Sequence, residues 1–227
     1  MNERPLLLDL FCGAGGAASG YARAGFDIVG IDRVQQKRYP YSFIQDDAMK
    51  VLERIAAGKT WRGYRARDFE VIHASPPCQR NAHPDLIGET LQLLYATKRM
   101  FVIESVVRAP LSPFSITLCG LNFGLEVFRH LRFESNVLLF SPEHIPHGTR
   151  RIGRDGYVCV DGHGGQLAGW PGHGQRRTVP KDHRTKAAWS RAMGIDWMTR
   201  DELSQAIPPA YTHHIGCQLL AAIRNRQ

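Results

Sequence analysis

Cys78 is the residue with the clearest capacity for covalent chemistry. It lies in Ser75-Pro76-Pro77-Cys78-Gln79, directly after an apolar segment typical of a buried strand. The two prolines fix the backbone before Cys78, so they hold its thiol in one direction. An isolated cysteine is more often a small buried hydrophobic residue. A rigid turn at the end of a strand instead favours a nucleophile.

Three other polar groups also follow apolar segments. The turn Cys12-Gly13-Ala14-Gly15-Gly16 lets backbone N–H groups approach a ligand closely. Asp32 suits a pair of ribose hydroxyls. Glu104 ends the apolar run 100–103, where a carboxylate is costly unless it has a partner or a task. Taken singly, the glycines could equally form a structural turn, and an exposed strand end is the better explanation of Glu104.

The apolar pattern predicts the elements that position these groups. Short apolar runs predict strands at Leu6–Leu10, Phe26–Ile31, Phe69–Ala74 and Met100–Ile103. Helical periodicity or composition predicts helices at Ala17–Ala24, Asp47–Ala57 and Leu86–Ala96. This alternation predicts an α/β fold with a parallel sheet. Ligands bind at the carboxyl ends of such strands, where all four polar groups are expected.

The pattern changes after Pro110. Residues Val127–Phe140 predict one or two strands of a hairpin, and a polar segment rich in Gly, His, Arg and Pro follows. Helical composition returns at Trp189–Met198 and Glu202–Arg224. We therefore expect a catalytic and cofactor-binding α/β domain at 1–140, a small basic insertion at 141–186, and C-terminal helices at 187–227 that return to the first domain.

Composition limits the class of protein. The chain has 227 residues, 43% of them hydrophobic, and a formal net charge of +8, which favours an anionic partner such as nucleic acid. No apolar run is long enough to span a membrane or to form a secretory signal. The 5 cysteines include no C-x-x-C pair, so neither a disulfide framework nor a metal site is predicted. We expect a cytoplasmic monomer.

The motifs resemble those of the cytosine-C5 DNA methyltransferases, especially the compact phage and bacterial forms. They occur in family order over nearly the whole chain. The matching segments are Asp9–Gly16 with Ser19 and Gly20, Gly30–Asp32, Asp46–Ala48, Pro76–Gln79, Ile103–Val106, Phe128–Glu134 and Ala206–Tyr211.

The resemblance implies a Rossmann-like class I methyltransferase fold that binds S-adenosyl-L-methionine, with a small irregular target-recognition insertion. Phe11 is expected to pack on the adenine, Asp32 to bind the ribose, and Asp47 to meet the adenine amino group. The cofactor-binding residues implied are Asp9, Phe11, Gly13, Gly15, Gly16, Asp32, Asp47, Pro76 and Gln205.

The resemblance also implies a reaction. The target cytosine is flipped out of the DNA, and the Cys78 thiolate attacks C6 of the ring. Glu104 hydrogen-bonds N3 and the amino group. Arg129, together with Arg132, holds the base carbonyl or a neighbouring phosphate. Carbon 5 then takes the methyl group, and Cys78 is released.

The expected partner is duplex DNA with a short recognition site, in a bacterial or phage-infected cell. Arginine suits phosphates and can read guanine edges. The candidate DNA contacts are Gln79, Arg80, Arg150, Arg151, Arg176 and Arg177. The histidines of the insertion, His163, His173 and His183, lack metal-ligand spacing and favour a polar loop or phosphate contacts.

Four features depart from the family pattern. Ser105 replaces an Asn, only a short stretch separates Gln79 from His83, Leu131 takes the place of a second Arg, and Gln205 replaces an Asn. Because neighbouring strand residues face opposite ways, Arg132 does not simply substitute for the missing Arg. These departures leave open a carboxymethyl transfer from carboxy-S-adenosyl-L-methionine, action on single-stranded DNA or a free nucleotide, and a catalytically silent DNA-binding relative.

Overall fold

One mixed β-sheet organises the molecule. The computed structural model describes residues 4–77, 86–147, 156–158, 160 and 185–226. The strands are β1 (Leu6–Leu10), β2 (Asp27–Asp32), β3 (Ser42–Gln45), β4 (Val71–Ala74), β5 (Met100–Val106), β6 (Ile116–Leu118) and β7 (Leu131–Ser135). The helices are α1 (Gly16–Ala24), α2 (Ala48–Ala56), α3 (Leu86–Ala96), α4 (Lys186–Met193), α5 (Arg200–Gln205) and α6 (Pro209–Arg224).

The sheet has the strand order β3-β2-β1-β4-β5-β7-β6. The first five strands in this order pair in parallel, whereas β7 runs antiparallel to both β5 and β6. The chain order reverses between β1 and β4. In open α/β sheets this reversal creates a crevice at the carboxyl ends of the strands, and ligands bind there.

Alternate residues of the central strands pack into two hydrophobic layers, one on each face of the sheet. Leu7 and Val102 face α1 and α6, while Leu8 and Phe101 face the opposite layer with α2 and α3. Strands covered on both faces have no polar alternation, which explains why β1, β4 and β5 were predicted from nearly continuous apolar runs.

Helix α6 returns the end of the described chain to α1. The Thr212 hydroxyl donates to the carbonyl of Ala17 over 2.8 Å, across 195 positions of sequence. Gly20 of α1 lies against Thr212 and Pro209 so closely that a Cβ there would overlap both. The two helices therefore meet backbone to backbone.

The α/β prediction is confirmed, but some element bounds were wrong. Strand β3 was not predicted, because only two of its four residues are apolar. Strand β7 pairs with β6, which precedes the predicted hairpin range of 127–140. The predicted helix Trp189–Met198 is α4, which ends at Met193 before Gly194. The predicted helix Glu202–Arg224 is two helices, because the chain is extended at Ala206 and Pro208.

Most of the expected insertion 141–186 lies outside the described residues. The parts that the structure describes return to the body of the protein. Val158 forms a bridge to Val127, and both pack with α4 and α5 in a third hydrophobic cluster. Among the described helices, none combines the length and the apolar character needed to cross a membrane.

Candidate active site

The turn after β1 has a backbone that few sequences can adopt. Phe11, Gly13 and Gly15 have φ angles of 58°, 48° and 87°. A left-handed conformation is costly for a bulky residue such as Phe11, by about 1–3 kcal/mol, and such strain concentrates at functional sites. At Gly13 a Cβ would project into open space, so its backbone is accessible from outside. Closely spaced left-handed residues can turn backbone N–H groups toward a common point, where they bind anionic or polar ligand atoms.

Asp32 closes this turn at the end of β2. Its Oδ2 accepts a hydrogen bond from the Gly13 N–H over 3.1 Å, and its Oδ1 accepts one from the Val34 N–H over 2.9 Å. The side chain remains partly exposed. The structure therefore brings the glycine turn and the predicted ribose-binding acid together at one edge of the sheet.

Asp47 lies at the N-terminus of α2, which follows β3. Its Oδ1 accepts hydrogen bonds from the Met49 and Lys50 N–H groups and thereby caps the helix. Because both bonds go to Oδ1, they do not occupy Oδ2. The neighbouring Asp46 instead accepts from the Trp61 indole over 2.9 Å. Of the two acids, Asp47 is therefore the better candidate to bind a ligand, because these bonds do not use its Oδ2.

Asp9 does not lie on the surface of the turn. It is fully buried in β1, and its Oδ2 accepts a hydrogen bond from the Tyr39 hydroxyl over 3.1 Å. Burial raises the pKa of Asp9 from 3.8 to about 7, and the Tyr39 hydrogen bond opposes part of that rise. The Tyr39 ring packs against Gly15 and Gly30. Asp9 therefore supports the turn through Tyr39, and a direct contact between Asp9 and a cofactor stays a prediction.

His73 was missed by the sequence reasoning. It pairs in register with Asp9 across β1 and β4 and is fully buried. Its Nδ1 is hydrogen-bonded to the Tyr21 hydroxyl at 3.0 Å. Burial lowers the pKa of His73 from 6.5 to about 3, so the imidazole is neutral at physiological pH. A histidine inside the apolar run Val71–Ala74 was the available signal.

Glu104 lies near the carboxyl end of β5, on the same face of that strand as Val102. The residue as a whole is only half-buried, but its carboxyl group lies deep. Burial raises the pKa of Glu104 from 4.5 to about 7, and the guanidinium of Arg129 opposes part of that rise. The group therefore exchanges a proton near neutral pH, as a general acid or base must.

Arg129 and Arg132 occupy different places. Arg129 donates through Nη1 to the Val160 carbonyl over 2.9 Å, and its own carbonyl accepts from the Tyr211 hydroxyl. Arg132 pairs in register with Ser105, one position beyond Glu104, and so faces the other side of the sheet.

The Arg132 guanidinium is used in a turn. It donates to the Ala109 carbonyl over 3.1 Å, to the Ser112 carbonyl over 2.9 Å and to the Ser115 hydroxyl over 3.0 Å. Strand alternation predicted that Arg132 faces away from the position of the missing Arg, and the structure confirms this. Of the two arginines predicted to be catalytic, it brings Arg129 to Glu104 and holds Arg132 in the 109–115 turn.

The closing motif lies against the glycine turn. A Cβ at Gly16 would be 2.5 Å from the Ile207 carbonyl oxygen, and the Trp197 indole donates to the Ala14 carbonyl over 2.9 Å. Gln205 is exposed at the end of α5, two residues before Ile207. Residues far apart in the chain therefore share one site with β1.

The nucleophile segment is described only in part. Pro76 is buried two residues after the end of β4, and the Ser75 hydroxyl donates to the Phe11 carbonyl over 3.3 Å. This bond ties the start of the segment to the glycine turn. Cys78, Gln79, Arg80, Arg150, Arg151, Arg176 and Arg177 lie outside the described residues.

Comparisons with known proteins bear on the fold of the chain. No family model matches the sequence. The type II methyltransferase M.XorII of Xanthomonas oryzae pv. oryzae is 33% identical over 88 residues, which cover 34% of this chain and 19% of that protein. The chain thus spans about a fifth of the length of the curated relative it matches.

The chain is similar to DNA methyltransferases in part of its sequence and in its fold. Solved structures match nearly the whole chain at low identity, and so support the fold. A protein assigned as a DNA modification methyltransferase from an Escherichia coli prophage has a TM-score of 0.62 and 15% identity, and covers 97% of this chain and 99% of its own. The Dnmt2 methyltransferase of Schizosaccharomyces pombe has a TM-score of 0.59 and 14% identity over the same shares. The Rossmann-like class I methyltransferase fold predicted from the sequence is confirmed.

Proposed function

We propose that the protein transfers a methyl group from S-adenosyl-L-methionine to C5 of cytosine in DNA. The observation that carries the proposal is Glu104, a buried carboxyl with a pKa of about 7 beside Arg129. It stands on β5, and the neighbouring strand β4 leads into Ser75-Pro76-Pro77-Cys78. A carboxyl that carries its proton near neutral pH can donate a hydrogen bond to a cytosine ring nitrogen.

The residues around the glycine turn fit the proposed cofactor. The accessible Gly13 backbone and the partly exposed Asp32 suit the ribose side, and Oδ2 of Asp47 suits the adenine amino group. Phe11 offers a half-buried aromatic ring, while Gly15, Gly16, Pro76 and Gln205 complete the predicted set. When bound, S-adenosyl-L-methionine supplies an electrophilic methyl group on its sulfonium sulfur.

Cys78 and Glu104 have complementary roles in this proposal. The Cys78 thiolate forms a bond from Sγ to C6 of the flipped cytosine. Electron density then moves toward N3, where the Glu104 proton stabilises it. This leaves C5 electron-rich. After C5 is methylated, loss of the C5 proton and cleavage of the Sγ–C6 bond restore the aromatic ring and the thiolate.

Arg129 keeps the pKa of Glu104 from rising further and supplies a cation beside the base. The hydrogen bond from Nη1 to the Val160 carbonyl fixes the guanidinium against a residue beyond β7. From there it can hold the cytosine carbonyl or a phosphate. We assign Arg132 no contact with the base, because its guanidinium binds carbonyls of the 109–115 turn.

DNA is the proposed substrate because of the net charge of the chain and the resemblance of its motifs to those of DNA methyltransferases together. The formal net charge of +8 favours a polyanion. Arginines 150, 151, 176 and 177, with Gln79 and Arg80, remain the predicted DNA contacts.

The deciding experiment measures modified nucleosides. Purified protein is incubated with cytosine-containing duplex DNA and S-adenosyl-L-methionine, and the digested DNA is analysed by mass spectrometry. Cys78→Ala is the test variant. Cys217→Ala is the matched control, because Cys217 is an exposed cysteine on α6. We expect 5-methylcytosine from the parent and the control, and none from Cys78→Ala.

Two further arms separate the alternatives. A duplex with 5-fluorocytosine should trap a covalent adduct that depends on Cys78, because fluorine at C5 cannot leave as a proton. The assay is repeated with carboxy-S-adenosyl-L-methionine, since the exposed Gln205 lies near the glycine turn. A carboxymethyl product would identify that donor. DNA binding without product or adduct under either donor would overturn the proposal and favour a silent DNA-binding relative.

A further inference from the structure

Four potential metal ligands meet outside the candidate active site. The Cys119 Sγ and one ring nitrogen from each of His130, His144 and His147 all lie within 4.8 Å of one another. We propose that these residues bind a structural Zn²⁺ ion. The inference does not depend on methyl transfer, because it rests on a different set of side chains.

The sheet register explains how two of the ligands meet. In the antiparallel pair of β6 and β7, Leu118 lies opposite Leu131. One step further in the same register places Cys119 opposite His130. Directly opposite residues of antiparallel strands have Cβ atoms about 4.5–5.5 Å apart. The hairpin therefore presents a thiol and an imidazole side by side at its end.

The other two ligands come from the chain that follows β7. His144 and His147 form an H-x-x-H pair in His144-Ile145-Pro146-His147. The Nε2 atoms of His130 and His144 are 3.1 Å apart, and the Cys119 Sγ lies 3.5 Å from the His147 Nε2. Each residue of the hairpin end thus meets one residue of the H-x-x-H pair.

These separations suit one tetrahedral metal ion. Zinc binds imidazole nitrogen at about 2.0–2.1 Å and thiolate sulfur at about 2.3 Å. At tetrahedral angles those bond lengths place two nitrogens roughly 3.3 Å apart and a nitrogen and a sulfur roughly 3.5 Å apart. The observed 3.1 Å and 3.5 Å are close to both values.

The ligand types favour zinc in a structural role. Thiolate and imidazole are the soft and intermediate donors that Zn²⁺ takes in proteins. Four protein ligands fill a tetrahedron, whereas catalytic zinc sites use three and keep one position for water or substrate. Cys119 is buried and His144 is exposed, so the site lies at the protein surface with its sulfur directed inward.

Neighbouring aromatic rings hold one ligand in orientation. The ring of Phe128 stacks on His147 with centroids 4.3 Å apart and on Tyr157 with centroids 4.6 Å apart. Such supporting contacts orient metal-binding imidazoles. The stack also joins the H-x-x-H pair to Tyr157, which belongs to the same predicted insertion.

The metal would connect the chain that follows β7 to the candidate active site. His130 directly follows Arg129, whose carbonyl accepts from the Tyr211 hydroxyl. A metal bond to His130 and the Tyr211 hydrogen bond would therefore both restrain the backbone that directly follows the Arg129 Cα. We infer that the zinc fastens the chain after β7 to the hairpin and positions Arg129 indirectly.

The test measures bound metal on the full chain. Protein purified without an affinity tag that binds metals is dialysed, and zinc is counted by mass spectrometry. The test variants are Cys119→Ser and His144→Ala, the second chosen because His144 is exposed and its loss should leave the fold intact. The controls are Cys217→Ser and His213→Ala, an exposed pair on α6 with Sγ and Nε2 3.7 Å apart.

We expect about one zinc per chain in the parent and both controls, and at least a roughly tenfold weaker retention of zinc in both test variants. Cobalt substituted for zinc should show the strong visible bands of tetrahedral coordination and a thiolate charge-transfer band that is lost in Cys119→Ser. Zinc at equal levels in all five proteins, or none in the parent after refolding with excess zinc, would overturn the proposal. In the second case hydrogen bonds and ring contacts hold the four side chains together without a metal ion.

Discussion

Replacing Asp9 by Asn should change how the stability of the protein depends on pH. The Asp9 carboxyl is fully buried, and its pKa is about 7 in the folded protein against an ordinary 3.8. A carboxyl with a raised folded pKa holds its proton more tightly in the folded state than in the unfolded chain. Its contribution therefore favours folding at low pH and is lost as the pH rises from about 4 to about 7.

The size of the effect follows from the shift. A rise of about three pKa units corresponds to about 4 kcal/mol over the whole range, since each unit is worth about 1.36 kcal/mol. Between pH 5 and pH 8, roughly 2.5 kcal/mol of this is lost, because the titration spans only the two units from 5 to 7.

In the parent protein, His73 opposes the effect of Asp9 on the pH dependence of stability. Its pKa is lowered to about 3, so its neutral form favours folding at neutral pH, and that contribution is lost as the pH falls below about 6.5. The two slopes have opposite signs over much of the same range. Glu104, whose pKa is also raised to about 7, adds to the slope of Asp9, so the pH dependence of the parent alone does not isolate Asp9.

Urea unfolding at pH 5 and pH 8 isolates Asp9. The free energy of unfolding is measured for the parent and for Asp9→Asn, and the difference between the proteins is compared at the two pH values. His73 is present in both proteins, and the shift of its pKa comes from burial and not from the Asp9 charge, so its contribution cancels in that comparison. We expect the variant to gain roughly 2.5 kcal/mol relative to the parent on going from pH 5 to pH 8. An unchanged difference would show that Asp9 titrates normally and would refute the reasoning.

Three other predictions concern the site and its support. Glu104→Gln should lower kcat/KM for methyl transfer roughly 100- to 10,000-fold. The rate of the parent should fall above about pH 7, where Glu104 loses its proton, and the variant should not show this fall. A pH profile of the variant that keeps the fall would exclude Glu104 as the group responsible for it. Arg132→Met should lower the free energy of unfolding by roughly 2–4 kcal/mol, because carbonyls of the 109–115 turn lose a charged donor. Urea titration measures this loss of stability, and the methyl-transfer assay measures the loss of activity. Arg129→Met should show a larger loss of activity relative to its loss of stability than Arg132→Met. Gly20→Ala should lower the free energy of unfolding by about 3 kcal/mol, because the added Cβ overlaps Thr212 and Pro209. Gly88→Ala is the control, since its Cβ would meet nothing within 4 Å and should not destabilise the protein. Equal midpoints of the two variants in thermal melts would contradict the close contact of α1 and α6.

Local patterns predicted the elements that carry the candidate site. The parallel sheet and the glycine turn followed from apolar runs and glycine spacing, and both depend on residues near one another in sequence. The side-change at Arg132 was foreseen from strand alternation, and its register partner Ser105 confirms the opposite face. The finding that Arg132 instead holds the 109–115 turn required the structure, because no local pattern identifies those carbonyls as its partners.

The missed features depend on pairing over long distances. His73 lies beside Asp9 only because β1 and β4 are neighbours in one particular register. Cys119, His130 and the H-x-x-H pair converge only after β6 and β7 form a hairpin. Their spacing along the chain resembles no metal motif, so composition and spacing gave no reason to join them.

The contact between α1 and α6 has a consequence for biosynthesis. Helix α1 leaves the ribosome long before its partner, since 195 residues separate Ala17 from Thr212. Until α6 arrives, Tyr21 and the rest of the α1 face lack the cover of Tyr211, Ile215 and Leu219. Contacts of such sequence separation slow folding and leave nascent apolar surface exposed to aggregation. The glycine turn, whose neighbour Gly16 packs against Ile207, is therefore completed only after Ile207 has been synthesised.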